Sequence, residues 1–590
     1  ADLDISSQTN WGSSSNYAVG NSTNSFKANY DGDNHFVKLN IVSCSTANDT
    51  YGYALFGIAG NSNTIKNLTV KGSVASNDRM GVLGGLVGRV TGSMTFENCT
   101  NEATITSTYG TTTLDKFGFG GICGIVNANG CDVVFRNCTN QGTITEKQNC
   151  AGGICGNIIS CNSCKFINCR NGLDKNKITD YKISSTNGSY IGGICGYVQK
   201  ATTPVEFNSC YNNYSLNNTR YVGGILGYAK SECVFMSCHN YKSITATATD
   251  KTSYCGGIIG YSSAALSFSR GNTNEANLIV GGSNVGGIVG YINGGLLTIS
   301  DSARNSGNIV SSASPAASSN RGGIVGYAYS GVDLTNCKNT GTVAGNQYLA
   351  GIVGWLGTKC TMNGCSNENT IQQTETSALS NIGGLIGFAS GVTGGFIVKN
   401  CYNTGDITGK SICGGLIGYL YFSSSPNSIY TNIYNCYCSN CNITATSSNS
   451  YAGGIIGQYR TGGTSYYNLA IHNCYVSPTM TSGSGVYKGV LFGTYNSSYK
   501  AYTENNYYAS TMGATAKQGA SSSSTIAFNT ADYSISSTTI NGNPYTDVVD
   551  ALNAARNAIV EGTSLYTGQS SLSLADLKGW KESNGEIVFN

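Results

Sequence analysis

The sequence predicts an all-β fold, a right-handed parallel β-helix (β-solenoid) of about fourteen coils, on three observations. A Gly-Gly-apolar-apolar-Gly signature recurs along all but the ends of the chain. A second motif, apolar-x-Asn-Cys-x-Asn, falls between its copies. The apolar runs are short, alternate with polar residues and are bounded by Gly or Asn, as strands between turns are.

The signature reads GGLVG at 84–88, GGICG at 120–124, 152–156 and 192–196, then GGILG ending at Gly227, GGIIG at Gly260, and GGIVG at Gly290 and Gly326. AGIVG ends at Gly354, GGLIG at Gly387 and Gly418, and GGIIG at Gly457, with degenerate copies ending at Gly57 and Gly493. Spacings run from 28 to 40 residues. Self-similarity at such a period marks a repeat architecture, in which 590 residues need not mean several domains. Each period holds three apolar runs: the Gly-Gly-Ile run, the Phe-x-Asn-Cys run (Phe96–Asn101, Phe135–Asn140) and a Gly-x-Ile-Thr run (Ile105, Ile144). Three short strands per coil describe a triangular section. A propeller blade needs four strands, and hairpins would show frequent Asn-Gly turns. Parallel crossovers favour the right-handed sense. Fourteen coils at about 4.8 Å would make a rod on the order of 65 Å.

Stacking turns each repeat position into a column. The cysteine column runs Cys99, Cys138, Cys169, Cys210, Cys238, Cys337, Cys365, Cys401, Cys436 and Cys474, where a small residue suits a tight inward corner. Two positions on come Asn101, Asn140, Asn171, Asn212, Asn240, Asn339, Asn367 and Asn403, read as an amide ladder that satisfies turn backbone. After the Gly-Gly-Ile run stand Tyr197, Tyr228, Tyr261, Tyr291, Tyr327, Trp355, Phe388 and Tyr419. These rings stack, and where exposed they offer a stripe suited to a sugar face or a second subunit.

Composition narrows the function. Only 11% of residues are charged, against about 25% in an ordinary domain, while 10% are aromatic and 40% hydrophobic, enough apolar surface to fold. A net charge of +3 without a basic cluster excludes a nucleic-acid footprint. No apolar stretch reaches the ~18 residues of a membrane span. The polar start at Ala1 fits a mature chain after small-residue cleavage. Ten Asn-x-Ser/Thr sequons are candidate glycosylation sites: Asn21, Asn48, Asn67, Asn98, Asn137, Asn187, Asn213, Asn217, Asn442 and Asn496. Disulfides are expected among the off-column cysteines Cys131, Cys161, Cys164, Cys233 and Cys360, in an oxidising compartment.

The repeat array resembles the GLUG-motif proteins, whose Gly-Leu-x-Gly core matches GGLVG and GGLIG. FKANYDGDNHFVKL (26–39) and YALFGIAGNSNTIKNLTVKGSV (53–74) are similar to that family's opening, and DVVDALNAARNA (547–558) with Trp580 and GEIVF to its terminal element. The resemblance implies a β-helical surface protein, adhesin or stalk. The many cysteines and tyrosines depart from the family's bacterial pattern.

The resulting division is 1–50 as N-terminal cap and first coil, with Trp11 and Phe26 closing it, 51–510 as solenoid, and 511–590 as a Ser/Thr-rich excursion and C-terminal cap. There a helix over 547–560, N-capped by Thr546, is expected to cover the last coil. No catalytic, metal or cofactor residue stands out. Carboxylates are scattered, His35, His239 and His472 lie in different coils, and Asp31 and Asp33 read as an Asp-Gly turn rather than a calcium loop. Cys161-x-x-Cys164 is not followed, at zinc-site spacing, by a matching second cysteine pair or a His pair. The sequence thus points to a secreted, extracellular or cell-surface structural protein, a building block of a filament, sheath or coat, with itself as partner head-to-tail or laterally and no catalysis. A monomeric adhesin or stalk that binds glycans or a host surface is the alternative, and a polysaccharide-acting β-helix enzyme the remote one.

Overall fold

The computed structural model of the chain describes residues 1–7, 19–41, 52–76, 82–108, 116–147, 150–173, 182–185, 190–218, 220–248, 253–282, 284–312, 319–374, 379–391, 395–422, 430–461, 468–482, 486–495, 501–509, 512, 518–520, 528–532, 538–540, 543–560 and 576–590. It is a parallel β-solenoid that divides into two compact units, Ala1–Ala316 and Ala317–Asn590, each described by itself below.

One coil of the first unit shows the design. Its five strands are Tyr221–Gly223, Leu226–Ala229, Cys233–Met236, His239–Asn240 and Ile244–Ala246. The three apolar runs read in the sequence are subdivided here: the Gly-Gly-Ile run breaks at its glycine pair into a strand on either side, and the corner at Ser237-Cys238 (Asn-Cys in most other coils) cuts off a two-residue strand. All five pair in parallel with their counterparts one coil on, Tyr221 with Tyr254, Tyr228 with Tyr261, Phe235 with Phe268, Asn240 with Asn274 and Ile244 with Leu278. Strict register follows from alternation, because a one-residue slip would turn every inward side chain outward. Cys233 and Phe235 are buried, while Val234 and Met236 are half-buried on the outer face.

The core of this unit carries a phenylalanine column, Phe96, Phe135, Phe166, Phe207, Phe235 and Phe268. Successive ring centroids are 4.7–5.0 Å apart and rings lie within 2–13° of parallel. That spacing is the inter-strand distance, so the backbone sets the stacking.

The corner after this strand is set by asparagine. Asn98, Asn137 and Asn168 have φ of 51–53°, and Ser209 and Ser237 hold the same corner in the next coils. Asn visits this left-handed region more readily than other side chains bearing a Cβ. The thiol that follows turns inward and bonds the preceding coil: Cys138 Sγ donates to Phe96 O (3.6 Å), Cys169 to Phe135 O (3.4 Å), Cys210 to Phe166 O (3.5 Å) and Cys238 to Phe207 O (3.3 Å).

The disulfides expected from the sequence are not formed: every described cysteine is a free thiol. Register gives the reason. Cys164 and Cys233 share an inward column but sit two coils apart with Val205 between them, and Cys360 stacks on Val332 and Phe396. Even where cysteines adjoin, parallel in-register Cβ atoms sit about 4.8 Å apart, beyond the ~3.5–4.5 Å of a disulfide.

At the N-terminus the Phe26 ring lies 4.5 Å from that of Phe56; Trp11 lies outside the described residues. In the second unit the helix α1 spans Val548–Val560, with Val548, Leu552, Ala555 and Ile559 on its buried face. Its cap is Asp547, whose Oδ1 accepts the Asp550 amide at 3.0 Å, rather than Thr546. A carboxylate there satisfies a free N–H and also meets the positive end of the helix dipole. Nor does α1 simply cover the last coil. It packs along the outward tyrosines Tyr437, Tyr475 and Tyr507 of successive coils, together with Trp580 and Ile587. Of the excursion over 511–540, most lies outside the described residues.

Candidate functional site

Two features run from coil to coil: an outer edge of aromatic rings and two ladders of asparagine amides. Glycine produces the edge. At the first glycine of each pair a Cβ would strike its own coil's carbonyl, as Gly223 against Leu226 O at 2.0 Å. The last glycine lies against the preceding coil's first strand, where a Cβ on Gly227 would come within 2.8 Å of the Ile191 amide. The two strands flanking the corner therefore touch backbone to backbone, and rings projecting from both meet outside it.

One row is the predicted column. In the first unit Tyr197 is buried and Tyr228, Tyr261 and Tyr291 are half-buried; in the second, Tyr327, Trp355, Phe388 and Tyr419 are half-buried. The other row went unread in the sequence: Tyr190, Tyr221 and Tyr254 in the first unit, and Tyr348, Tyr451 and Tyr487 in the second. Its signal was a tyrosine two residues before the glycine pair, as in YIGG, YVGG and YCGG. The rows interleave. Tyr190 lies 4.8 Å from Tyr197 and 5.1 Å from Tyr228, and Tyr254 lies 4.9 Å from Tyr261 and 5.3 Å from Tyr291. Tyr348 stacks on Phe388 at 5.0 Å, and exposed Tyr329 runs parallel to Trp355. Hydroxyls rim the edge: Tyr228 with Ser263 Oγ (3.2 Å), Tyr291 donating to Asn293 Oδ1 (3.1 Å).

Burial lifts the phenols of Tyr261, Tyr348 and Tyr419, and pushes Tyr327 up to about 12. A raised folded-state pKa means the folded chain holds its proton longer. The stabilisation is complete below the ordinary phenol value of about 10 and is lost as pH climbs through the folded values. Burial raises thiols such as Cys164, Cys360 and Cys413 in the same way, so thermal melts should begin to fall as pH passes the ordinary thiol value of about 8.5 and fall further between about pH 10 and 12, with tyrosinate absorbance rising over the latter interval.

The inner ladder lies where the sequence put it. In the first unit each Nδ2 donates to the Oδ1 of the next coil, Asn101 to Asn140 (2.8 Å), then Asn171 (2.9 Å), Asn212 (2.8 Å), Asn240 (2.7 Å), Asn274 (2.7 Å) and Asn305 (2.7 Å). In the second, Asn339 donates to Asn367 and Asn367 to Asn403, both at 2.8 Å. Most members spend their other N–H on the carbonyl two residues ahead, as Asn212 does on Tyr214 O at 2.9 Å. The second glycine of each pair packs on this amide: a Cβ on Gly224 would stand 2.7 Å from Asn240 Cβ, and one on Gly323 2.3 Å from Asn339 Cγ. The two sequence motifs thus interlock through the section of each coil.

An outer ladder uses the corner asparagines. Asn67 donates to Asp31 Oδ1, Asn98 to Asn67, Asn137 to Asn98 (each 3.0 Å) and Asn168 to Asn137 (2.8 Å). In the second unit Asn435 donates to Asn400 at 2.8 Å and Asn473 to Asn435 at 2.9 Å. There the C-terminal segment docks on it: Asn400 Nδ2 donates to Asp576 O (2.8 Å), Lys578 N to Asn400 Oδ1 (2.9 Å) and Trp580 Nε1 to Asn435 Oδ1 (2.8 Å). Asp31 is used in its turn, accepting from Asp33 N (3.0 Å) and pairing with Lys66 (3.1 Å).

The ladders sort the sequons. Asn67, Asn98 and Asn137 already use the amide nitrogen that a glycan would substitute, between rungs one coil apart. Asn213 is buried and donates to Gly172 O (2.9 Å), and Asn442 donates to Asp406 Oδ1 (3.1 Å). Asn217 is exposed, and Asn21 uses only its oxygen, in a turn with Thr23 and Asn24. Asn48, Asn187 and Asn496 lie outside the described residues. Expressed in a eukaryotic secretory pathway, the folded protein should carry glycan at Asn217 and Asn21 and none at Asn98 or Asn137. Glycopeptide mass spectrometry reads this directly; glycan at Asn98 or Asn137, which are exposed, in folded material would show that the outer rungs tolerate a substituted amide through its remaining N–H.

Comparison with known proteins found no matching family model, no matching curated protein and no matching solved structure. Among the described residues no group of three or more His, Cys, Asp or Glu is placed to hold a metal ion, and no helix is long and apolar enough to cross a membrane.

Proposed function

We propose that this chain is a non-catalytic structural protein of an extracellular or cell-surface layer, and that the aromatic edge is where one copy meets another side by side. The observation that carries this reading is the double row of half-buried rings with a hydroxyl rim, repeated coil after coil. Such a row presents apolar faces at the strand spacing, which a second identical row can match. The low charge removes the repulsion that would keep copies apart, and the resemblance to GLUG-motif surface proteins points the same way. Changing Tyr228, Tyr261 and Tyr291 together to Ser should abolish assembly, read by sedimentation, while circular dichroism stays β-rich. Polymers unaltered by the triple change would sink the mechanism.

The same rings favour a second reading, an adhesin that lays a glycan along the edge, since stacked tyrosines with hydroxyl rims also suit sugar faces. Glycan-array binding that the triple variant loses, by wild-type protein that stays monomeric, would select that alternative.

A further inference from the structure

We infer that Cys438 and Cys441 are a redox-active dithiol that closes to a disulfide, alone among the stacked cysteines described. Asn403 is the last described amide of the inner ladder in the second unit; the residue in register with it one coil on is Cys438. Asn403 Nδ2 has no next amide to reach and points instead at two sulfurs, Cys438 Sγ at 3.8 Å and Cys441 Sγ at 3.7 Å. The glycine that elsewhere packs on an asparagine here packs on sulfur: a Cβ on Gly415 would stand 2.6 Å from Cys438 Sγ.

The two sulfurs are 3.5 Å apart. Their closeness comes from a break in the pattern. Register slips between Ser439 and Asn442 against the next coil, and Asn440 takes a left-handed φ of 53°. The bulge folds Cys441 back over Cys438 within one strand, whereas the column cysteines meet only across strands about 4.8 Å apart. Its tip, Asn440, is exposed, whereas Cys438 is fully buried and Cys441 only 6% exposed.

The chemistry balances with a small-molecule disulfide, RSSR, as oxidant. The Cys441 thiolate attacks one sulfur of RSSR; the RS–SR bond breaks, a Cys441–SR bond forms, and RS⁻ leaves to take up the proton Cys441 lost. The Cys438 thiolate then attacks the Cys441 sulfur, forming the Cys438–Cys441 bond and expelling the second RS⁻, which is protonated in turn. Two thiols are oxidised and one RSSR is reduced to two RSH. The neighbouring Cys438 sulfur and burial hold the Cys441 thiol well above its ordinary range. Because the thiolate is the nucleophile, the reaction should be slow at neutral pH and quicken as pH rises.

The test uses the full chain, equilibrated natively with glutathione disulfide or with dithiothreitol, then denatured, alkylated and mapped by mass spectrometry. The expected result is an unalkylated peptide spanning 438–441, two hydrogens lighter than its dithiol form, with Cys138, Cys169 and Cys238 fully alkylated. Dithiothreitol should return both sulfurs to alkylation. In the Cys438→Ser variant, the resolving thiol is gone and glutathione should stay on Cys441. Alkylation of both Cys438 and Cys441 after oxidation, or equal cross-linking among the stacked columns, would overturn the inference; so would a Cys438→Ser variant that folds yet retains no glutathione.

Discussion

Alanine at Gly223 should unfold the coils around it. The new Cβ would lie 2.0 Å from Leu226 O, 2.7 Å from Gly260 N and 2.8 Å from Ile258 O, all backbone atoms with no rotamer to change. Relief requires moving the corner and the next coil together, which breaks the register that aligns Phe235 with Phe268 and Tyr228 with Tyr261. Overpacking in a core typically costs about 1–3 kcal/mol, and a clash with three backbone atoms belongs at or above the top of that range. Each coil is held chiefly by its neighbours, so the loss should spread along the unit. Urea titration of Gly223→Ala should show a lower midpoint or an early transition. Gly130→Ala is the control: nothing lies within 4 Å of its Cβ, and only its φ of +72° opposes the change. It should cost no more than about 1–2 kcal/mol.

Leucine at Asn240 should be nearly as damaging, although it keeps the volume and adds apolar surface. Asn240 accepts from Asn212 at 2.7 Å and donates to Asn274 at 2.7 Å, with all three fully buried. The substitution leaves a donor on Asn212 and an acceptor on Asn274 without their partner. An unsatisfied buried polar group costs about 1–3 kcal/mol, so two give about 2–6 kcal/mol, offset in part by leucine's hydrophobic gain. Asn240→Asp should also destabilise at neutral pH, because a carboxylate cannot donate to Asn274 and brings a charge into the core. Chemical denaturation of the three proteins would rank them wild type above both variants; a leucine variant as stable as wild type would show that the ladder contributes no net stability.

Much of this was readable without coordinates, for identifiable reasons. Column positions follow from repetition alone, so the cysteine, asparagine and aromatic columns fell where the motif spacing put them. Two kinds of fact did not follow. The asparagine before most column cysteines was visible in the motif, but its role depends on a left-handed φ and on the rung one coil away, as in Asn137 on Asn98. The second tyrosine row depends on the tight glycine corner bringing Tyr221 beside Tyr228 and Tyr261, two strands that the sequence read as one run. The expected disulfides failed because a count of cysteines carries no information on register. The helix was found, but Asp547 beside Thr546 offered a better cap, and its docking face is built from Tyr437, Tyr475 and Tyr507, which no local pattern joins.

The central claim is that copies of this chain associate along the aromatic edge into an ordered layer or filament. Negative-stain electron microscopy of native material from its source tests it most directly. The account predicts ordered lateral assemblies in which neighbouring copies run side by side. Dispersed single particles at every concentration would contradict it.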